Sequence, residues 1–470
     1  MEKNGFVVDT RPFFMPTRHI YEKFKAWSVR NENSNAFIVI FSCVIGCAAG
    51  FGAFLLKWVI KFLAGHIQTL TAHSLHWHDA DWWLIVLPLA GILLAVAWQR
   101  FVARANMVHC TAKIVEYLNA KNYSIPGKFM YNPIAACGLT LGFGGSAGAE
   151  GPIAFAGAAA GSTVGRLFGL DSNMMRVMIG IGAGAGIAGI FKSPIAGVLF
   201  TLEVLRMDMG AGPVIGLIMA CVCASVTCYA FTGTQVYMPY EQTDTPGLAA
   251  HWVVLIGVFC GIYSLIYNWV TERMRHFFET RKRKWIVWTS GGIMAGIILF
   301  LFPAMYGEGY PVMTQLINGN HSGVLASGLL ATSDTDVTRF IWILVLMLLL
   351  KSLATVCSNS AGGVAGDFAP TLFVGTLAGT VFSMTVEALF GIHLPVSLCA
   401  MFAMSGAFAG IVHAPVMAIF LVTEVTGAFN YILPITVCAA ASYITVKLLS
   451  PASRYIETKY DDLASLFTRH

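Results

Sequence analysis

One acid stands alone in a stretch that is otherwise apolar, small or glycine: LGFGGSAGAEGPIAFAGAAAG, from Leu141 to Gly161, with Glu150 followed by Gly151 and Pro152. A carboxylate inside an apolar span is costly, so it marks a functional site before anything else is known of the chain. Pro152 suits the first turn of a helix, where its missing N–H is not needed. The glycines before it suit an irregular entry whose backbone amides face a cavity. A helix start of this kind, buried in a membrane, is an anion site, because the free N–H groups and the positive end of the dipole point the same way.

The membrane setting follows from composition. Of 470 residues, 57% are hydrophobic and 11% charged, against about 25% charged in a soluble domain. The chain reads as an all-α polytopic membrane protein. Its net charge of +5 fits a positive-inside bias and not a nucleic-acid partner. The 11 cysteines are scattered through apolar spans (Cys43, Cys47, Cys221, Cys223 and Cys228 among them). They form no CxxC pair and read as small buried hydrophobes, so neither a metal nor a cofactor is expected. The N-terminus lacks a short apolar run ending in a small-residue cleavage site, so no signal peptide is expected. The first apolar span, Ala36 to Phe62, is long enough to insert the chain and stay.

Five segments are expected. Residues 1–35 are polar and mildly basic, with Phe24 and Trp27 one helical turn apart, and read as a cytoplasmic segment ending in an interfacial helix. Residues 36–232 and 250–449 form two membrane halves, joined by a polar linker at 233–249 and followed by a short tail at 450–470 that leaves no room for a cytoplasmic regulatory domain. Apolar spans are expected at about 36–63, 82–103, 131–146, 152–169, 175–205 and 213–232, then 250–271, 285–305, 338–357, 370–390, 394–412, 414–427 and 430–449. The basic cluster Arg273–Lys284 reads as a cytoplasmic loop, and Tyr306 to Asp336 as a re-entrant or external segment. Several spans fall short of the roughly 20 residues a crossing needs. Many are broken by Gly or Pro, so tilted and discontinuous helices follow.

The halves repeat. AGIFKSPIAGVLFTLEV at Ala188–Val204 matches AGIVHAPVMAIFLVTEV at Ala409–Val425 without a gap, about 220 residues apart. Upstream, GSAGAEGPIAFAGAAAG in the first half answers SAGGVAGDFAPTLFVGTLAG at Ser360–Gly379 in the second, with Gly157 on Gly375 and Gly161 on Gly379. Interrupted helices at matching positions of two repeats point to a midplane binding site in transporters. The paired glycine spacings suit close helix packing.

With GAEGP at Gly148–Pro152, GDFAP at Gly366–Pro370, the Pro194–Glu203 element and a terminal Tyr455 on the page, the chain strongly resembles the CLC family of chloride channels and proton-coupled chloride antiporters, over about residues 36–460. The resemblance implies an inverted-repeat helical fold and a homodimer with one anion pathway per subunit. Glu150 matches the gating glutamate, whose carboxylate occupies the outer anion site and swings away or takes a proton to let an anion pass; no Lys or Arg lies within one helical turn of it in sequence. Gly148, Ala149, Phe368 and Ala369 match backbone positions that resemble an anion cradle, and Tyr455 matches the tyrosine that closes the central site.

Three residues depart from the pattern. His109 takes the place of the central anion-binding serine, which implies altered selectivity or pH dependence if the imidazole faces the anion. Asp367 stands where an apolar residue is usual, and is expected to cap the following helix with its carboxylate or to lower anion affinity nearby. Val204 follows Glu203 where many antiporters carry a second proton glutamate. Glu203 and its twin Glu424 are expected to form a structural acid pair bonding to helix ends. Val204 tips the reading toward a chloride channel-like protein, with a proton-coupled antiporter of chloride or another anion as the alternative. An enzyme is not expected: His109 has no HExxH partner, and Gly145-Ser146 has no base nearby in sequence. A cation pathway would need more carboxylates facing one cavity than Glu150, Glu203, Asp367 and Glu424 supply. The expected partners are chloride or a similar anion, protons in the alternative reading, and lipid. The expected location is a bacterial inner membrane.

Overall fold

Proline and glycine set the boundaries of the helices. The computed structural model describes residues 35–71, 83–119, 123–233, 236–241, 247–320 and 337–450. The first half contains α1 (Asn35–Thr71), α2 (Trp83–Ala97), α3 (Cys110–Asn119), α4 (Asn132–Gly142), α5 (Glu150–Phe168), α6 (Ser172–Phe191), α7 (Pro194–Leu199) and α8 (Ala211–Thr232). The second contains α9 (Ala250–Thr280), α10 (Lys284–Leu301), α11 (Tyr310–Ile317), α12 (Val337–Asn359), α13 (Phe368–Phe390), α14 (Val396–Val412), α15 (Pro415–Thr426) and α16 (Ile432–Leu449). Among the described residues, nine of these helices are long and apolar enough to cross a membrane. The expected interfacial helix around Phe24 and Trp27, and Tyr455, lie outside the described residues.

The span expected at 175–205 is two helices. Lys192 turns left-handed at φ 56°, Pro194 opens α7, and a π turn carries the chain from Phe200 to Val204. The second half breaks at the equivalent place, with His413 at φ 61° and Pro415 opening α15. Proline cannot continue the preceding helix, and the left-handed residue before it turns the chain. The sequence repeat is therefore also a repeat of backbone breaks. Of the segment expected to be re-entrant or external, Tyr310–Ile317 forms the short α11, whose Tyr310, Met313, Leu316 and Ile317 are buried.

The halves share a packing rule. A Cβ on Gly157 would lie 2.1 Å from Gly182 O, and one on Gly161 1.9 Å from Met178 O, so α5 and α6 touch backbone to backbone. In the second half a Cβ on Gly379 would lie 2.1 Å from Cys399 O, and α13 and α14 meet in the same way. Between helices in lipid the hydrophobic effect supplies little, and close van der Waals approach of small residues does the work. These inner pairs are almost wholly covered. Helices α1, α8, α9, α10 and α16 surround them and turn Phe51, Val226, Trp269, Ile297 and Leu448 outward, as lipid-facing helices do.

Candidate functional site

The two glycine-rich entries meet. Gly148 N donates to Gly366 O at 2.8 Å and Gly366 N donates back to Gly148 O, an isolated antiparallel bridge. It joins the residues just before α5 to those just before α13. Two helix starts, one from each repeat, thus converge on one buried point, where their dipoles add.

Glu150 occupies that point. It is 1% exposed, and its Oε1 accepts from Ala369 N, in the first turn of α13, at 3.0 Å. Cβ atoms built on Gly148 and Gly366 would lie 2.0 Å and 2.8 Å from Glu150 Oε2, so both glycines leave room for the carboxylate. The Oε2 atom is buried without a hydrogen-bond partner. One oxygen is held by the amide at a helix start and the other is orphaned, which marks a group that holds its place without being locked there.

Sequence reasoning missed the polar cluster beyond this point. Tyr310 OH donates to Glu150 Oε1 at 3.4 Å. Lys57 Nζ, from α1, lies 2.6 Å from Glu308 Oε2 and 4.7 Å from the centroid of the Tyr310 ring. It also sits 4.8 Å from that of Tyr237. Lys351 is fully buried in α12, donating to Ser146 Oγ at 2.8 Å and to Met305 O at 3.3 Å. The only sequence signal for these residues was the rarity of Lys57 and Lys351 as cations inside apolar spans. Lys57 and Glu308 are 251 residues apart, and Lys351 and Ser146 are 205 apart. Helix α10 starts beside the basic cluster Arg273–Lys284 and runs 18 residues, roughly 27 Å. The Met305–Tyr310 turn therefore lies on the far side of the membrane from that cluster.

On the basic side the structure rearranges the expectation for His109. That residue adopts φ 59° just before α3, and its Nε2 lies 3.7 Å from Glu279 Oε1. It lines a cavity of about 490 Å3 with Arg100, Arg104 and Lys284. Burial, then the charges of Arg275 and Lys113, push the imidazole down to about 3. The residue that faces the meeting point is Thr111: a Cβ on Gly151 would lie 3.2 Å from Thr111 Oγ1 and 3.5 Å from Gly366 Cα. The left-handed turn at His109 leads the chain into α3 with the Thr111 hydroxyl beside Gly151.

Asp367 stands at the N-cap position of α13 but its carboxylate makes no capping bond. Its Oδ1 accepts from Asn359 Nδ2 at 2.6 Å and its Oδ2 lies 3.9 Å from an Arg275 guanidinium nitrogen. The capping expectation fails because Asn359, eight residues back on α12, binds the side chain instead. The Phe368 ring packs against Phe408 at 5.1 Å and Phe200 at 5.9 Å between centroids, bringing both repeats onto the start of α13.

Glu203 and Glu424 lie away from this centre. Glu203 accepts from Val416 N at 3.1 Å and Met417 N at 2.7 Å. Glu424 accepts from Ile195 N at 3.1 Å, Ala196 N at 3.0 Å and the Ser193 hydroxyl. Among the described residues, no group of three or more His, Cys, Asp or Glu side chains is arranged to hold a metal ion.

Comparison with known proteins matches the fold. The chain is 25% identical over 428 residues to the H(+)/Cl(-) exchange transporter ClcA of Vibrio parahaemolyticus, covering 88% of this chain and 87% of the relative. It is 28% identical over 319 residues to the protein of the same name from Vibrio vulnificus, covering 66% of this chain and 64% of the relative. In that second comparison the chain therefore spans just under two thirds of the relative's length. Among solved structures it resembles a slow cyanobacterial Cl-/H+ antiporter with a TM-score of 0.75 at 20% identity, over 90% of this chain and 98% of the other. It also resembles a CLC-type fluoride/proton antiporter, with a TM-score of 0.68 at 22% identity over 87% and 94%. Residues 90–447 match the family model for the voltage-gated chloride channel, about three quarters of the chain, and with two broken-helix repeats meeting at a buried carboxylate this chain belongs to that family, the CLC proteins.

Proposed function

We propose that this CLC protein is a proton-coupled chloride antiporter of a bacterial inner membrane, working as a homodimer with one pathway in each subunit. The observation that carries the reading is the seat of Glu150: a carboxylate on the Ala369 amide, at the convergence of two helix starts. A seat that holds a carboxylate also suits a halide, since both are compact anions held by N–H donors. Chloride and the carboxylate then compete for one place. Protonating Glu150 neutralises it, frees the seat, and lets one group couple the two ions.

The amides of Ala149, Phe368 and Ala369 form the cradle in this reading, while the expected Gly148 amide is taken by Gly366 O, and the Thr111 hydroxyl lies where it can donate to an anion on the basic side. Arg100, Arg104 and Lys284 around the cavity make its mouth positive, which draws anions in. Curated relatives bearing the name H(+)/Cl(-) exchange transporter favour the antiporter over the channel-like reading that Val204 tipped toward. The test is a reversal potential measured on reconstituted protein under opposed chloride and proton gradients. An antiporter gives a potential set by both ions, and Glu150→Gln gives one set by chloride alone. A wild-type potential that follows chloride only sinks the proposal.

A further inference from the structure

We propose that Lys57 is the counter-charge that receives the Glu150 carboxylate when it leaves its seat, with Glu308 holding the ammonium in place until then. The inference rests on the reading of Glu150 as the gate. A carboxylate that swings out of a buried seat needs a partner on the way, because an unpaired charge in apolar surroundings is costly. The structure offers one. Tyr310 bridges the gap: its hydroxyl is on Glu150 Oε1 and its ring lies against Lys57 Nζ, 4.7 Å from ammonium to centroid. One tyrosine thus contacts both groups, the carboxylate at its hydroxyl and the ammonium at its ring.

The other charged and polar groups facing this place are accounted for. Lys351, on α12, is engaged by Ser146 Oγ and Met305 O. Tyr237, from the linker after α8, stacks edge-on with Tyr310 at 4.5 Å and bounds the ammonium on its other side. Glu308 Oε2 accepts one hydrogen bond from Lys57 Nζ, while Glu308 Oε1, like Glu150 Oε2, is a buried oxygen with no hydrogen-bond partner. Two carboxylates each with an orphan oxygen flank one ammonium with donors to spare. Moving Glu150 toward Lys57 satisfies its orphan oxygen; leaving its seat frees the Ala369 amide for chloride. Gly309, at φ 81° and with its Cβ position 2.4 Å from the Phe373 ring, makes the turn between Glu308 and Tyr310. Lys57 is a positioning residue here: it acts through Glu150 and touches no anion.

The experiment compares full-length protein in liposomes for chloride turnover and for the chloride-to-proton ratio. The variants are Lys57→Met/Glu308→Gln, which removes the pair as a unit and leaves neither partner as an unpaired charge, Glu150→Gln, the triple combination, and Lys57→Arg. In the wild-type background the pair substitution is expected to slow chloride turnover about tenfold, the factor that corresponds to about 1.4 kcal/mol, and Lys57→Arg to keep most of the rate. In the Glu150→Gln background the pair substitution is expected to change turnover less than about twofold, since no carboxylate remains to receive. Equal losses in both backgrounds, or no loss in the wild type, overturn this proposal and leave the gate standing. Turnover and coupling unchanged in Glu150→Gln alone remove the gate and this proposal with it. If the Met/Gln pair does not elute as a single species, Lys57→Gln/Glu308→Gln, which keeps a hydrogen bond across the pair, is read by the same criteria.

Discussion

Glu203 and Glu424 are exchanged caps: each ends a short helix of its own repeat and accepts from the opening amides of the other's, Val416 and Met417 for Glu203, Ile195 and Ala196 for Glu424. Pro194 and Pro415 open those helices, and a proline start leaves the next amides free and pointing outward. Water would satisfy such amides at a surface, but inside a membrane a side chain from elsewhere must do so. The repeat relation makes the solution reciprocal, and each half depends on the other to finish its own fold.

These acids should therefore act on stability before transport. Glu203→Gln and Glu424→Gln each replace an acceptor-only carboxylate by a group that presents an NH2 to an amide N–H. Each is expected to cost about 1–3 kcal/mol, read as a lower midpoint of thermal unfolding in detergent. The chloride-to-proton ratio of the surviving protein should match the wild type. An unchanged midpoint with lost proton coupling would move the acids from structure to transport.

Gly148 offers a way to evict the Glu150 carboxylate without touching Glu150. A Cβ at this position meets only Glu150 side-chain atoms as its three nearest neighbours, the closest at 2.0 Å, and the backbone φ is not in the left-handed region. Gly148→Ala is expected to raise chloride turnover and weaken proton coupling, with stability changed by no more than about 1 kcal/mol. Gly366→Ala is the contrast, because its Cβ also lies 2.8 Å from the backbone Gly151 N. It should lower stability as well. Liposome flux and thermal unfolding of the two variants separate these outcomes.

Much of this arrangement could be read from residue order. The break at each proline, the glycine-spaced inner helices, and the burial of Glu150 at a helix start all follow from local chemistry and the repeat. What could not be read is pairing across the chain. Lys57 meets Glu308 at a separation of 251 residues, and no pattern near either residue announces the other. Asp367 shows the same gap on a smaller scale. Its position at a helix start predicts a cap, and only the placement of α12 reveals that Asn359 takes its carboxylate. His109 shows a third gap: a motif gives residue positions, while the direction of a side chain depends on the backbone turn, and with φ 59° at this residue its ring lies beside Glu279.

The pH behaviour of His109 follows from its depressed titration, at about 3, against about 6.5 for an unperturbed imidazole. The neutral form is favoured in the folded protein, so the group gains no charge between pH 5 and 8. His109→Gln should leave the pH profile of chloride flux unshifted over that range. Folding stability has the opposite sensitivity: as pH falls below about 6.5 the unfolded chain takes up a proton that the folded site refuses, so the histidine's contribution is lost toward acid. Thermal unfolding between pH 7 and pH 4 should accordingly fall less steeply in His109→Gln than in the wild type.

Thr111 carries the selectivity prediction. Its hydroxyl sits where Gly151 and Gly366 come together, beside the two helix starts, and a hydroxyl there can donate one hydrogen bond to an anion moving in from the basic side. Thr111→Val keeps the shape and removes the donor. A hydrogen bond to a charged group contributes about 1.5–3 kcal/mol, so apparent chloride affinity should fall tenfold or more, and the preference for chloride over nitrate should change. His109→Ser, on the side of Glu279, should move neither quantity. Both variants are read by the chloride dependence of flux and by competition with nitrate in liposomes. Loss of affinity in His109→Ser with none in Thr111→Val would return the imidazole to the anion path and show that the α3 entry turns the other way in the working protein.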